Sequence, residues 1–163
     1  MSDPRMLIPE LEHEMATTRR VIERIPEDRL DFTPHERSWT VGELAAHTAR
    51  LPGWAAGIFT TDGFDMAEVP PEEAPGSVES ILGAFDERCD TAKSALASAT
   101  HEDMAEEWTL RNAEHVYFTM PRAAVYRSMV MSHMIHHRGQ LTVYLRLMGV
   151  PVPSVYGPSA DES

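Results

Sequence analysis

Four segments of this sequence place apolar residues at steps of three and four, the spacing of an α-helix with one buried face. They are residues 5–25, a segment that opens at Thr40, residues 77–98 and residues 121–148. Four amphipathic helices can bury their apolar faces around a common core. The pattern therefore predicts an all-α fold, an antiparallel four-helix bundle in a single domain over residues 1–163, with residues 150–163 as an extended C-terminal tail.

A few residues mark the helix boundaries and breaks. Thr40, followed three residues later by Glu43, has the form of a capping box, which opens the second helix. Pro52 should kink that helix, because proline lacks a backbone donor and crowds the preceding turn. Residues 60–76 are rich in proline and acidic residues and are predicted to form a loop. Short alternating runs in residues 108–118 predict either a short hairpin or an ordered loop before the last helix.

Composition excludes several classes of function. The chain has 14 basic and 26 acidic residues, a formal net charge of -12 at pH 7 that repels nucleic-acid phosphates. No run reaches the roughly 18–20 apolar residues that a membrane helix needs, and the N-terminal residues lack the pattern of a secretory signal. The single cysteine, Cys89, cannot form an internal disulfide, which is typical of a reducing compartment. We therefore expect a cytoplasmic protein with neither a nucleic-acid nor a membrane partner.

Two histidines stand where the last helix should bury apolar side chains. The inner face of this helix is predicted to carry Tyr126, Val130, His133, His137, Gln140, Tyr144 and Met148. Residues four apart on a helix have Cβ atoms about 5–6 Å apart, so His133 and His137 can direct two imidazoles at one point. Buried imidazoles need polar partners. A metal ion would supply one, and the alternative is a pair of ordinary hydrogen-bonded histidines.

A third histidine, His47, favours the metal. It lies on the apolar face of the second helix, between Leu44 and Leu51, and can approach the same point from across the core. Three neutral imidazoles leave at least one coordination position open, as in catalytic rather than closed structural sites. The residues therefore predict a divalent metal ion held by His47, His133 and His137.

Other side chains on the last helix are candidates for supporting roles. His136 is the rival ligand, but its direction on the helix differs from that of His137 by about 100°. We therefore predict that His136 supports the ligands or the fold. Tyr126, Gln140 and Tyr144 are predicted to contact the ligands or a substrate.

Several motifs together resemble those of the DinB/YfiT-like family of bacterial proteins. They are Ser38-Trp39-Thr40 with Glu43-Leu44 and His47, HMIHHRGQ at 133–140, LTVYLRLMG at 141–149 and the closing VPSVYGPSADE. The resemblance implies a four-helix bundle, often dimeric, that holds zinc, nickel or another divalent ion on His47, His133 and His137. His136 matches a family position that is commonly histidine but not a ligand. Pro52-Gly53 departs from the usual helical sequence of the family, so the pocket is expected to differ in shape there.

The resemblance also implies a class of reaction. Related families with this fold include isomerases and S-transferases that use small bacterial thiols such as mycothiol or bacillithiol. We therefore expect a metal-dependent enzyme with a small-molecule substrate, a low-molecular-weight-thiol S-transferase or isomerase, assembled as a homodimer. The alternatives are a non-catalytic, metal-stabilised dimeric bundle with a stress-response or binding role, and a metal-free interaction module. The inner face of the last helix offers no general-base carboxylate, which disfavours a hydrolase.

Overall fold

Helices and a small sheet make up the computed structural model, which describes residues 3–68 and 76–163. The helices are α1 (Ile8–Ile22), α2 (Val41–Arg50), α3 (Trp54–Thr60), α4 (Val78–Ser98), α5 (Arg122–Val125) and α6 (His133–Leu147). The strands are β1 (Gly63–Asp65), β2 (Glu107–Asn112) and β3 (His115–Pro121). Short 3₁₀ turns lie at Pro4–Leu7, Glu27–Arg29, Leu51–Gly53, Met66–Glu68 and Asp103–Ala105. Tyr126–Ser132 is π-helical and joins α5 to α6, so one continuous helix covers residues 122–147.

The prediction of an all-α four-helix bundle is wrong, because the chain also forms a three-stranded mixed sheet. β1 pairs with β2 in parallel, and β2 pairs with β3 antiparallel. The antiparallel pair β2–β3 is a hairpin, which is one of the two structures that the sequence predicted for residues 108–118. Trp108 and Leu110 are buried in the core from β2, whereas the Thr109 and Thr119 hydroxyls bond to each other across β2 and β3 at 2.8 Å. The fold therefore combines a helical core with a small sheet.

Strand β1 lies inside the segment that was predicted to be a loop. A Cβ atom at Gly63 would lie 2.5 Å from the Thr109 carbonyl oxygen, so only glycine allows the two strands to approach at this point. Three residues are too few to show an alternating pattern, which is why the sequence did not reveal the strand. Pro70, Pro71 and Pro75, which also suggested a loop, lie outside the described residues.

Three of the predicted helix signals are confirmed. The capping box of α2 is present: the Thr40 hydroxyl accepts a hydrogen bond from the Glu43 amide at 3.1 Å, and the Glu43 carboxylate accepts one from the Thr40 amide at 2.8 Å. Pro52 interrupts the second helix, because the 3₁₀ turn Leu51–Gly53 separates α2 from α3. The last helix begins directly after Pro121, as the position of that proline predicts.

The apolar faces of the helices meet in one core that the sheet shares. Its largest fully buried apolar side chains are Trp108, Tyr126, Phe85, Leu11, Ile22, Leu51, Ile58, Leu96, Met131, Met134 and Leu141. Burial of this apolar surface is the main force that holds the elements together. None of the helices in the described segments has both the length and the apolar character that a membrane crossing requires.

A charged pair is buried between α1 and α6. Arg138 Nη1 lies 2.7 Å from Glu14 Oε2, and the two side chains are 1% and 8% exposed. The same nitrogen donates to the Glu14 carbonyl oxygen at 3.1 Å and to the Thr18 hydroxyl at 3.3 Å. Tyr156 covers the pair, because its ring lies 4.9 Å from the guanidinium and its hydroxyl donates to the Glu14 carboxylate at 2.8 Å.

The C-terminal tail, residues 150–163, is fastened to the same two helices. Glu162 pairs with Arg20 and Arg24, each at 2.6 Å, and these arginines lie on or just after α1. Asp161 pairs with Arg146 of α6 at 2.5 Å. The tail therefore links the first helix to the last.

Candidate metal centre

Three histidine side chains from two helices meet at one point. His47 lies on α2, and His133 and His137 lie one turn apart on α6. Each offers a ring nitrogen, and these nitrogens all lie within 4.8 Å of one another. The ring centroids are 4.6–5.2 Å apart. The structure therefore brings together the three histidines that the sequence singled out.

Packing of α2 against α6 sets this convergence. Leu44 and Leu51 flank His47 and are buried, with 2% and 1% of their surface exposed. On α6, Met134 and Leu141 are fully buried on either side of His137. The leucines and the apolar residues of α6 hold the two helix faces in place, so the imidazoles are directed at each other at the edge of the core.

The π-helical segment Tyr126–Ser132 ends immediately before His133. A π-helical turn is wider than an α-helical one, is rare, and is found frequently at functional sites. Within the segment, the backbone of Met129 hydrogen-bonds the His133 side chain. This contact fixes the orientation of the His133 ring, while its Nε2 atom faces His47.

Gln140 fixes the ring of His137 in a similar way. His137 Nδ1 lies 2.6 Å from Gln140 Oε1, one helical turn further along α6. An amide oxygen only accepts hydrogen bonds, so Nδ1 carries the proton and Nε2 keeps its lone pair. Such a partner on the far side of a histidine is typical of metal ligands, because it selects the tautomer and orients the ring.

The surroundings keep all three histidines neutral. Burial, together with repulsion from His137 and Arg50, lowers the pKa of His47 to about 4. Burial likewise lowers the pKa of His133 to about 4, with added repulsion from the neighbouring histidines. The pKa of His137 is also lowered, mainly by burial. At neutral pH the rings are therefore unprotonated, as metal ligands must be.

The nitrogen spacing fits a single ion. Two nitrogens bound to one zinc ion at about 2.0–2.1 Å in tetrahedral geometry lie about 3.3–3.4 Å apart. His47 Nε2 and His133 Nε2 are 3.4 Å apart. A zinc ion held by these three histidines would have a fourth position for water or substrate, as catalytic zinc sites do.

The other predicted site residues lie in different places. His136 is exposed, with its ring 5.0 Å from that of His137. Tyr126 is buried in the core, 6.1 Å from the ring of Phe59. The Tyr144 hydroxyl donates to the backbone oxygen of Trp39 at 3.1 Å. Of these four residues, Gln140 is the one that the structure places in a hydrogen bond with a candidate ligand, His137.

Trp39, which the sequence analysis named as part of a family motif but not as a site residue, lies at the site. Its indole lies 5.0 Å from the ring of His47 and 6.1 Å from that of His137, and 49% of its surface is exposed. It therefore forms the outer edge of the site, with Tyr144 holding its backbone. Its position just before the Thr40 cap was the available signal, because a residue there lies beside the first turns of α2.

Replacing Gln140 with alanine should weaken metal binding by about 10–100-fold, because His137 would lose the partner that orients its ring. One ion per chain should still bind at saturating metal. Competition titration against a chromogenic chelator measures the affinity. Val143→Ala, an exposed position on the same helix, is the control and should bind metal like the wild type. Equal affinities in the two variants would show that the hydrogen bond does not matter.

The chain thus belongs to the class of helical proteins with a small sheet in which three histidines form a group that could bind a metal ion. The chain belongs to the DinB family, whose family model matches residues 1–163. It is 26% identical over 153 residues to the uncharacterized protein YrdA of Bacillus subtilis (strain 168), a match that covers 93% of this chain and 86% of that protein.

Solved structures of DinB-like proteins share the fold. One from Bacillus cereus ATCC 10987 has a TM-score of 0.70 at 22% identity, over 92% of this chain and 95% of that one. The DinB-like protein YjoA of Bacillus subtilis has a TM-score of 0.69 at 20% identity, over 97% of this chain and 99% of that one. At these identities the likeness concerns the fold alone.

Proposed function

We propose that this protein is a metal-dependent enzyme that holds one divalent ion with His47, His133 and His137 and acts on a small thiol, as an S-transferase or isomerase. The observation that carries the proposal is the convergence of three neutral imidazoles within 4.8 Å, with an exposed edge at Trp39. Zinc and nickel are the proposed ions, because both accept imidazole ligands.

A bound divalent ion would supply positive charge that lowers the pKa of a coordinating thiol and so favours the nucleophilic thiolate. The protein's own residues would prepare the site. Gln140 holds the proton of His137 on Nδ1, and Met129 orients His133. Trp39 lies beside His47 and His137 at the exposed edge of the site.

The attacking thiol must come from the substrate. Cys89 is the only cysteine of the chain, and it is 7% exposed on α4. Burial raises the pKa of its thiol to about 12, so it stays protonated at neutral pH and is a poor nucleophile. A protein whose own cysteine is inert and whose histidines suit a metal is consistent with chemistry on an external thiol.

The proposed transfer is a substitution. The sulfur of the external thiol forms a bond to an electrophilic carbon, and the bond from that carbon to its leaving group breaks. The leaving group departs with the electron pair, and the thiol proton is released to solvent. No oxidant or reductant is consumed.

The test combines metal loading with a substrate panel. The purified protein, loaded with zinc or nickel, is mixed with low-molecular-weight thiols and with electrophiles such as alkyl halides or epoxides. Both the loss of free thiol, which reports transfer, and the rearrangement of the electrophile without loss of thiol, which reports isomerisation, are followed. We expect turnover with at least one pair, and loss of that turnover after chelation and in His133→Ala. A protein that binds metal stoichiometrically but shows no metal-dependent turnover across the panel would overturn the enzymatic proposal.

A further inference from the structure

A cavity lies between α3, α4 and the sheet, and it reaches α2 at Arg50. It has a volume of about 310 Å³, at the lower end of the range of small-molecule pockets. Its lining consists of Arg50, Gly53, Trp54, Gly57, Phe64, Arg88 and Trp108. Arg50 follows His47 by three residues on α2, and residues at this spacing share one face of a helix. We call this cavity the aromatic groove.

One side of the aromatic groove is a wall of rings. The centroid of Trp54 lies 4.9 Å from that of Phe64 and 6.4 Å from that of Trp108. Trp108 is 1% exposed, so it is locked in the core. Phe64 comes from β1, the strand that the sequence did not reveal. A fixed aromatic wall of this kind suits a flat, apolar ligand.

Two glycines keep the aromatic groove open. A Cβ at Gly53 would lie 3.3 Å from Cγ and Cδ of Arg88, so glycine there leaves room for the arginine side chain. A Cβ at Gly57 would meet no atom of the described residues within 4 Å. Glycine inside a helix costs roughly 0.5–1 kcal/mol relative to alanine. Gly57 leaves open space in the groove that a larger side chain would fill.

The aromatic groove also carries positive charge in an acidic protein. Its two cationic side chains are Arg50 and Arg88, in a chain of net charge -12. Arg88 donates from Nη1 to the Ala84 carbonyl oxygen at 3.0 Å, and within residues 3–68 and 76–163 no carboxylate forms an ion pair with it. A guanidinium binds carboxylates through two parallel hydrogen bonds. The groove therefore complements a ligand with both a planar apolar body and a carboxylate.

We propose that the aromatic groove binds a planar, apolar carboxylate, with its rings on Trp54 and Phe64 and its carboxylate on Arg88. The role of this ligand as a co-substrate of the metal centre rests on the proposed function. Binding itself does not, because the groove residues contain none of the three histidines. Arg50, at the edge of the groove, lies one helical turn from His47.

Fluorescence of the metal-free protein tests the proposal. The chain has three tryptophans, so in a Trp39→Phe background the signal comes from Trp54 and Trp108, both in the groove. We expect 2-naphthoate to quench this signal saturably, and Arg88→Gln to weaken its binding by about tenfold. The neutral 2-naphthamide should bind equally to both forms. Lys93→Gln removes a charge from the same helix outside the groove and should leave 2-naphthoate binding unchanged.

A second pair of variants tests occupancy of the groove. Gly57→Leu should abolish binding of 2-naphthoate by filling the space, whereas Gly57→Ala, which adds one methyl group, should retain it. Absence of saturable quenching up to millimolar 2-naphthoate would overturn the proposal. So would equal effects of Arg88→Gln on the acid and the amide. These measurements use no metal, so their failure is separate from a failure of metal binding, which elemental analysis of the same samples reports.

Discussion

Replacing His133 with alanine is expected to abolish stoichiometric metal binding. Its Nε2 lies 3.4 Å from that of His47, so its loss removes one of three donors around the common point. The fall in affinity should exceed the roughly 10–100-fold that loss of a supporting partner costs. Elemental analysis after dialysis gives the metal content, and circular dichroism gives the helix content, which should stay near that of the wild type.

Two other histidines provide control variants for this experiment. His115→Ala, at an exposed position on β3, should retain one ion per chain. His136→Ala distinguishes the ligand from its rival, because His136 is exposed beside His137 and should also be dispensable. Full metal content in His133→Ala, or its loss in His136→Ala, would contradict the assignment of ligands.

Replacing Arg138 with methionine should destabilise the protein by about 3–5 kcal/mol, because Glu14 would be left as a buried, unpaired charge. The melting temperature should fall by roughly 6–20 °C. Urea denaturation measures the free energy of unfolding. Replacing both Arg138 and Glu14 with methionine should recover most of the loss, since no buried charge then lacks its partner.

The chain contains a matched control for this prediction. Arg127 also lies in the last helix and also pairs with a glutamate of α1, Glu10, at 2.5 Å. The two side chains are 57% and 42% exposed, so water solvates either charge when its partner is removed. Arg127→Met should therefore cost no more than about 1 kcal/mol. If Arg138→Met were no more harmful than this variant, burial would not be the reason for the strength of the pair.

Local patterns made the helices predictable. The spacing of apolar residues located the four helical segments, and Thr40, Pro52 and Pro121 marked where two of them begin or break. The histidine pair followed from the same rule, because residues four apart on a helix share a face whatever the rest of the chain does. The placement of His47 on the apolar face of α2 needed only that α2 and α6 meet in the core.

Features that depend on distant contacts were not predictable. β1 exists because it pairs with β2, whose residues lie more than forty positions away, and Gly63 gives no sign of this by itself. The π-helical turn before His133 has no sequence signature that we can identify. The approach of Trp39 to the histidines depends on how the connection before α2 folds, which apolar spacing does not determine. The same limit hid the aromatic groove, whose wall includes Phe64 of β1.

The pairing of Glu14 with Arg138 also bears on how the protein is made. Their contact joins residues 124 positions apart, and the contact of Arg20 with Glu162 joins residues 142 positions apart. The ribosome therefore releases α1 long before any of these counter-charges has been translated. Until then the nascent first helix can pack only against earlier elements such as α4, with which it shares the Arg19–Asp86 ion pair, so the fold should be completed only after α6 and Glu162 have been translated.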